Sequence, residues 1–97
     1  MIQSFKSKLA EDIYDGVSSR YSRKLPAKLH KIAVRKLDQL NAAAEIDDLN
    51  QPPSNRLEKI QGNLSAFWSI RVNKQYRIIF RWKDGDTYDV DIIDYHK

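Results

Sequence analysis

The sequence predicts an α+β domain with a short N-terminal strand, two helices, and then a mainly antiparallel four-strand meander packed on the helices. Three observations carry this. Residues 67–73, 76–82 and 88–93 alternate apolar with polar side chains, the period-2 pattern of strands that bury one face. Leu29, Ile32, Ala33, Leu37, Leu40 and Ala44 recur at helical spacing and define one apolar stripe. Between the helical and strand halves lies Gln51-Pro52-Pro53-Ser54-Asn55, and a double proline cannot continue a helix.

Taken in order, residues 2–5 read as a short strand and residues 8–14 as a first helix, stopped by Asp15-Gly16. Residues 17–24 are polar and rich in Ser and Arg, which predicts a loop. The long helix opens at Leu25-Pro26, since proline is tolerated in a first turn. Lys28, Lys31, Arg35 and Lys36 fall largely off its apolar stripe. Residues 45–50 read as a short acidic turn of helix, residues 56–60 as a strand and residues 61–65 as a turn-rich connection.

Parity registers the hairpins. Pairing Ile70 with Ile78 sets Trp68 against Phe80, Val72 against Tyr76 and Arg71 against Arg77, and gathers the large apolar side chains on one face. With Asp84-Gly85-Asp86 as the second turn, Trp82 pairs with Tyr88, Phe80 with Val90, Ile78 with Ile92, and Arg81 with Asp89. Arg77, Ile93 and Tyr95 then share the open face. Two arginines directly opposite each other repel unless an anion lies between them.

The 97 residues make one domain, and 41% hydrophobic with 31% charged residues is ordinary for a folded protein. The absence of cysteine excludes zinc ribbons, disulfide scaffolds and thiol nucleophiles, and fits a reducing cytoplasm. No apolar run suggests a signal peptide or approaches a membrane span. The net charge of +4 is unevenly spread. Residues 1–37 hold nine Lys/Arg against three Asp/Glu, whereas residues 38–50 hold four acids and no base. Such a basic helical half suits a polyanion, or simply a solvated face.

Arg71, Arg77 and Arg81 are candidate phosphate clamps, because guanidinium forks grip phosphate oxygens in pairs. Arg81 opposite Asp89 reads mainly as a cross-strand pair. Tyr95 is a candidate for proton transfer or base stacking, and His96 beside it for acid–base work or phosphate contact. His30 sits on the amphipathic helix, far from His96 in sequence, and no HExxH or phosphate-cradling glycine motif is present. Neither a metal nor a cofactor is expected.

The element order, the opening Met1-Ile2-Gln3-Ser4-Phe5 and two strand motifs together resemble the HigB toxins of the RelE/ParE superfamily. The motifs are Phe67-Trp68-Ser69-Ile70-Arg71-Val72-Asn73 and Tyr76-Arg77-Ile78-Ile79-Phe80, followed by Asp84-Gly85 and Asp94-Tyr95-His96. The stretch Pro52-Pro53-Ser54-Asn55-Arg56-Leu57-Glu58-Lys59-Ile60-Gln61-Gly62 is similar to the GraT-like, or plasmid-killer, branch of that family.

The resemblance implies a RelE-like fold and a cytoplasmic, ribosome-dependent mRNA endonuclease neutralised by a HigA-type helix-turn-helix antitoxin. Operator DNA would be met only through that antitoxin. It further implies a metal-free attack of a 2′-hydroxyl on the adjacent phosphodiester. Carried over by position, Asp94, Tyr95 and His96 match the functional trio and Arg77 the strand arginine. Many HigB sequences have Leu-His-Pro-Leu-Lys-Gly where this chain has Leu57-Glu58-Lys59-Ile60-Gln61-Gly62. Glu58 therefore replaces a catalytic-type His and is the candidate base, while Gln61 replaces a catalytic-type Lys. Arg71, Lys59 and Gln61 are further RNA-binding candidates, and Lys28, Lys31, Arg35 and Lys36 are candidates for ribosomal RNA. Two alternatives stand beside this: a ParE-like toxin acting on gyrase, and a non-catalytic RNA-binding module.

Overall fold

The computed structural model describes residues 1–95. Helix α1 (Lys8–Asp15) begins at Ser7, whose hydroxyl accepts the Ala10 N–H at 3.1 Å, and ends at Gly16 in the left-handed region (φ 72°). Helix α2 (His30–Ala42) follows a 3-10 turn, Ala27–Leu29, that starts after Pro26. The expected helix from Leu25 to Ala44 is thus shorter: Ala43 is already extended, and it is Ala43 that is buried while Ala44 faces solvent. A 3-10 turn over Ile46–Asn50, closed by a reciprocal capping box between Glu45 and Asp48, realises the acidic turn.

Strands β1 (Glu58–Lys59), β2 (Trp68–Arg71), β3 (Tyr76–Lys83) and β4 (Asp86–Asp94) form one antiparallel sheet in sequence order. β1 covers only two of the five residues expected. The first hairpin has the expected register, with Trp68 opposite Phe80, Ile70 opposite Ile78 and Arg71 opposite Arg77.

The second hairpin departs from it. Its turn is the two-residue Asp84-Gly85 with both φ angles positive (52° and 84°), the backbone that matches the twist of a hairpin. Trp82 therefore faces Thr87 and Arg81 faces Tyr88, one residue off the expected pairs. A bulge with Asp89 at φ 53° then restores Ile78 opposite Ile92. The bulge frees backbone donors, and the N-terminal segment takes them: Asp89 N–H donates to Ser4 Oγ at 2.9 Å and Val90 N–H to the Ser4 carbonyl at 3.1 Å. The expected N-terminal strand is accordingly two isolated parallel bridges to β4, Ile2 with Thr87 and Phe5 with Val90.

The core lies between the two helices and one sheet face, and includes Ala10, Ile13, Ala33, Leu37, Leu40, Ile70, Ile78, Phe80, Val90 and Ile92. The opposite face is not wholly open, since Ser69, Arg77 and Ile79 are buried there. Among the described residues no helix is long and apolar enough to cross a membrane.

Candidate functional site

The site is built at the end of the β2–β3 hairpin. Its turn is held by Asn73, whose Oδ1 accepts the N–H groups of Gln75 at 2.9 Å and Tyr76 at 2.7 Å. This Asx turn folds the chain back so that Arg71 and Arg77 come opposite one another, with Lys74 at the tip. The end of β4 is stitched to the same turn. Gln75 Nε2 donates to Asp94 Oδ2 at 3.0 Å, and Tyr95 N–H donates to the Gln75 carbonyl at 2.7 Å. Those two bonds carry Tyr95 over Arg77, with the guanidinium carbon 5.7 Å from the ring centroid.

Arg77 is only 8% exposed, and its fork is spoken for. Nε donates to Ser69 Oγ at 2.8 Å, one terminal nitrogen to the Arg56 carbonyl at 2.5 Å, and the other lies 4.0 Å from Glu58 Oε2. Burial pulls the guanidinium below its usual range; Glu58 and Tyr95 oppose that shift, while Arg71 and Arg56 add to it. Arg56 itself sits in the left-handed region (φ 47°) at the end of the 3-10 turn Pro53–Asn55. The fully buried Asn55 fixes that turn, its amide donating to Gln39 Oε1 and the Leu49 carbonyl, both at 3.1 Å.

Together Arg56, Arg71, Asn73, Lys74, Arg77 and Tyr95 enclose a pocket of about 240 Å3. Among the described residues four cations and no carboxylate line it, and Glu58 adjoins it through Arg77. A group of like charges held this close is relieved by an anion with several oxygens, such as a phosphodiester. The pocket wall also offers a phenolic hydroxyl, and its edge a carboxylate, both competent in proton transfer.

Of the residues singled out in the sequence, Arg71, Arg77 and Tyr95 line the pocket, Glu58 adjoins it and Asp94 is tied to its turn. His96 lies outside the described residues. Lys59 points to the other face of the sheet, its ammonium 5.0 Å from the centre of the Trp68 ring. Gln61 is exposed in the connection after β1 and does not line the pocket. Arg81 pairs with Asp89 at 3.0 Å despite the shifted register. Lys28, Lys31 and Arg35 are exposed on and before α2, while Lys36 is half-buried against Asn55. A separate, more apolar hollow of about 280 Å3 lies between the end of α1 and α2, lined by Ile13, Val17, His30 and Val34 among others.

Arg56, Asn73 and Lys74 join the pocket without being among the sequence candidates. Arg56 stands two residues before Glu58 in a stretch that reads as a strand, where one more cation carries no signal of its own. The chance of finding Lys74 and Asn73 lay in the turn between the facing arginines.

The family model described as "RelE-like toxin of type II toxin-antitoxin system HigB" matches residues 3–96. Toxin HigB-1 of Vibrio cholerae is 43% identical over 100 residues, covering 100% of this chain and 99% of that protein. Endoribonuclease HigB of Proteus vulgaris is 33% identical over 97 residues, covering 99% of this chain and all of its own length, 100%. In structure the chain is similar to the YoeB-YefM complex from Staphylococcus aureus, with a TM-score of 0.57 at 18% identity and coverage of 100% and 99%. The YoeB dimer from the same organism gives 0.52 at 19% identity, covering 99% and 98%. At such identities the likeness is one of fold.

Proposed function

Because the chain belongs to the HigB family of RelE-like toxins of type II toxin–antitoxin systems, we propose that it is an endoribonuclease that cuts mRNA on the ribosome. Membership of such a system gives it an antitoxin partner, which we take to be of the HigA helix-turn-helix type. The toxin and its targets meet in the cytoplasm. The observation that carries the reading is the pocket in which Arg56, Arg71, Lys74 and Arg77 converge beside Tyr95.

In the proposed reaction the 2′-oxygen of one nucleotide attacks the neighbouring phosphorus, and the bond from phosphorus to the 5′-oxygen breaks. Glu58 takes the 2′-hydroxyl proton. Tyr95 and His96 orient the nucleotide and deliver a proton to the departing 5′-oxygen, leaving a 2′,3′-cyclic phosphate and a free 5′-hydroxyl. The arginines face the extra negative charge of the pentavalent phosphorus, and one preorganised donor of this kind supplies about 2.7–4 kcal/mol. Asp94 acts through Gln75, holding the turn against the end of β4. The exposed Lys28 and Lys31 contact ribosomal RNA.

Induction of the protein alone, followed by primer extension on mRNA from translating ribosomes, tests this. Growth arrest with new cut sites, both reversed by the co-expressed antitoxin, is the expected result. Abundant folded protein that leaves growth and mRNA untouched would overturn it.

A further inference from the structure

The pocket does not end at Arg71. Arg71 and Asn73 also line an adjoining hollow of about 280 Å3, whose other walls are Ile32, Lys36, Ser54 and Val72. Ile32 and Lys36 in turn border a third hollow of about 340 Å3 with Arg35, Gln39 and Pro52. The three share walls and make one groove, and among the described residues no Asp or Glu lines any part of it.

Lys36 stands midway along this groove. Its ammonium donates to Asn55 Oδ1, a neutral amide oxygen, and among the described residues it has no carboxylate partner. An ammonium has three donors, so one neutral acceptor leaves it with capacity and an unbalanced charge. Burial, with Arg35 beside it, pulls Lys36 below the usual lysine range, the direction that a bound anion would reverse. Nor is Lys36 a loose surface lysine. Its acceptor belongs to an asparagine that is 0% exposed and whose own amide is bonded to α2 and to the segment after it. The head group is therefore held in place before any ligand arrives, which cuts the ordering cost of binding. The groove walls next to it, Ile32, Val72 and Pro52, offer apolar surface to a ribose or base.

We propose that this groove takes the nucleotide adjoining the cleaved phosphodiester, and that Lys36 binds that nucleotide's phosphate. The proposal deepens the endoribonuclease reading and rests on it. It assigns Lys36 to the substrate strand and separates it from the exposed Lys28 and Lys31.

The test uses the purified full-length toxin and 2′-O-methyl RNA, which 2′-hydroxyl attack cannot cut, as a dinucleotide and as a hexanucleotide. Affinities are measured by fluorescence anisotropy across a range of salt. Each phosphate contact on a single strand contributes about 0.7 to the slope of log affinity against log salt. Lys36→Gln should lower the hexanucleotide slope by about 0.7 and leave the dinucleotide slope unchanged, and Lys36→Arg should restore it. In the parent protein, the side-chain ammonium resonance of Lys36 should shift with the hexanucleotide and not with the dinucleotide, a readout that needs no variant to fold. A parental slope in Lys36→Gln, or an unmoved Lys36 resonance, overturns the groove while pocket binding and mRNA cutting stand. A parent that binds neither oligonucleotide and cuts no mRNA overturns both readings.

Discussion

The buried guanidinium of Arg77 donates to the backbone carbonyl of Arg56 at 2.5 Å, tying the middle of the sheet to a left-handed residue at the end of the preceding loop. A non-glycine residue with positive φ is held against its own preference and persists only where its surroundings hold it. Arg77 from one side and buried Asn55 from the other provide that restraint, and the result is a second arginine at the pocket.

Arg77→Ala is expected to lower stability as well as activity. It leaves the Ser69 hydroxyl and the Arg56 carbonyl without a donor, and hydrogen bonds from a charged group contribute about 1.5–3 kcal/mol. For a domain of this size that lowers the Tm by roughly ten degrees. A variant with the parent's melting curve would show that the bonds to Ser69 and Arg56 add nothing to stability.

Tyr95→Phe keeps the ring over Arg77 and removes the hydroxyl. Cleavage on translating ribosomes should fall by about 10²-fold or more, the usual contribution of a positioned proton carrier. His96→Ala should show the same pattern. Full cleavage by the double variant would place the proton transfers elsewhere.

Thr87→Val should stabilise the protein. The shifted register turns Thr87 onto the core face opposite Trp82, where it is 0% exposed and its hydroxyl has no hydrogen-bond partner among the described residues. An unpaired buried polar group costs about 1–3 kcal/mol, and valine has nearly the same shape. Thermal melts should show a gain of several degrees; a loss would mean that the hydroxyl is satisfied.

Asp12 supplies a pH-dependent contribution. The Ser19 hydroxyl at 2.6 Å is the main influence holding its carboxyl below the ordinary 3.8, with Lys8 at 3.2 Å adding to it against the opposing effect of burial. A carboxylate whose pKa is lower folded than unfolded stabilises the fold above the unfolded value, and that contribution fades as pH falls through the folded one. Asp12→Asn should therefore melt below the parent at pH 7, with the gap closing below about pH 4. A gap independent of pH would assign the loss to packing at the α1 end instead.

Much of the architecture was legible because it follows from local chemistry. Side-chain alternation places Ile70 against Ile78, since slipping the first hairpin by one residue would turn its apolar set to water. The α2 stripe from Leu29 to Leu40 and the break at Pro52-Pro53 are likewise properties of neighbours in sequence, as is the motif resemblance that placed Arg77 and Tyr95 together. What only the tertiary structure decided depends on contacts between distant segments. The two-residue turn at Asp84-Gly85 and the bulge at Asp89 are balanced by backbone bonds to Ser4, which no local pattern announces. Arg56 enters the pocket because Arg77 and Asn55 hold its loop from two sides, and Lys36 becomes a cation held by a neutral amide because α2 packs its ammonium onto Asn55. A linear pattern records which face a residue prefers; the partners that make a charge buried, paired or unpaired are brought to it only when the chain closes on itself.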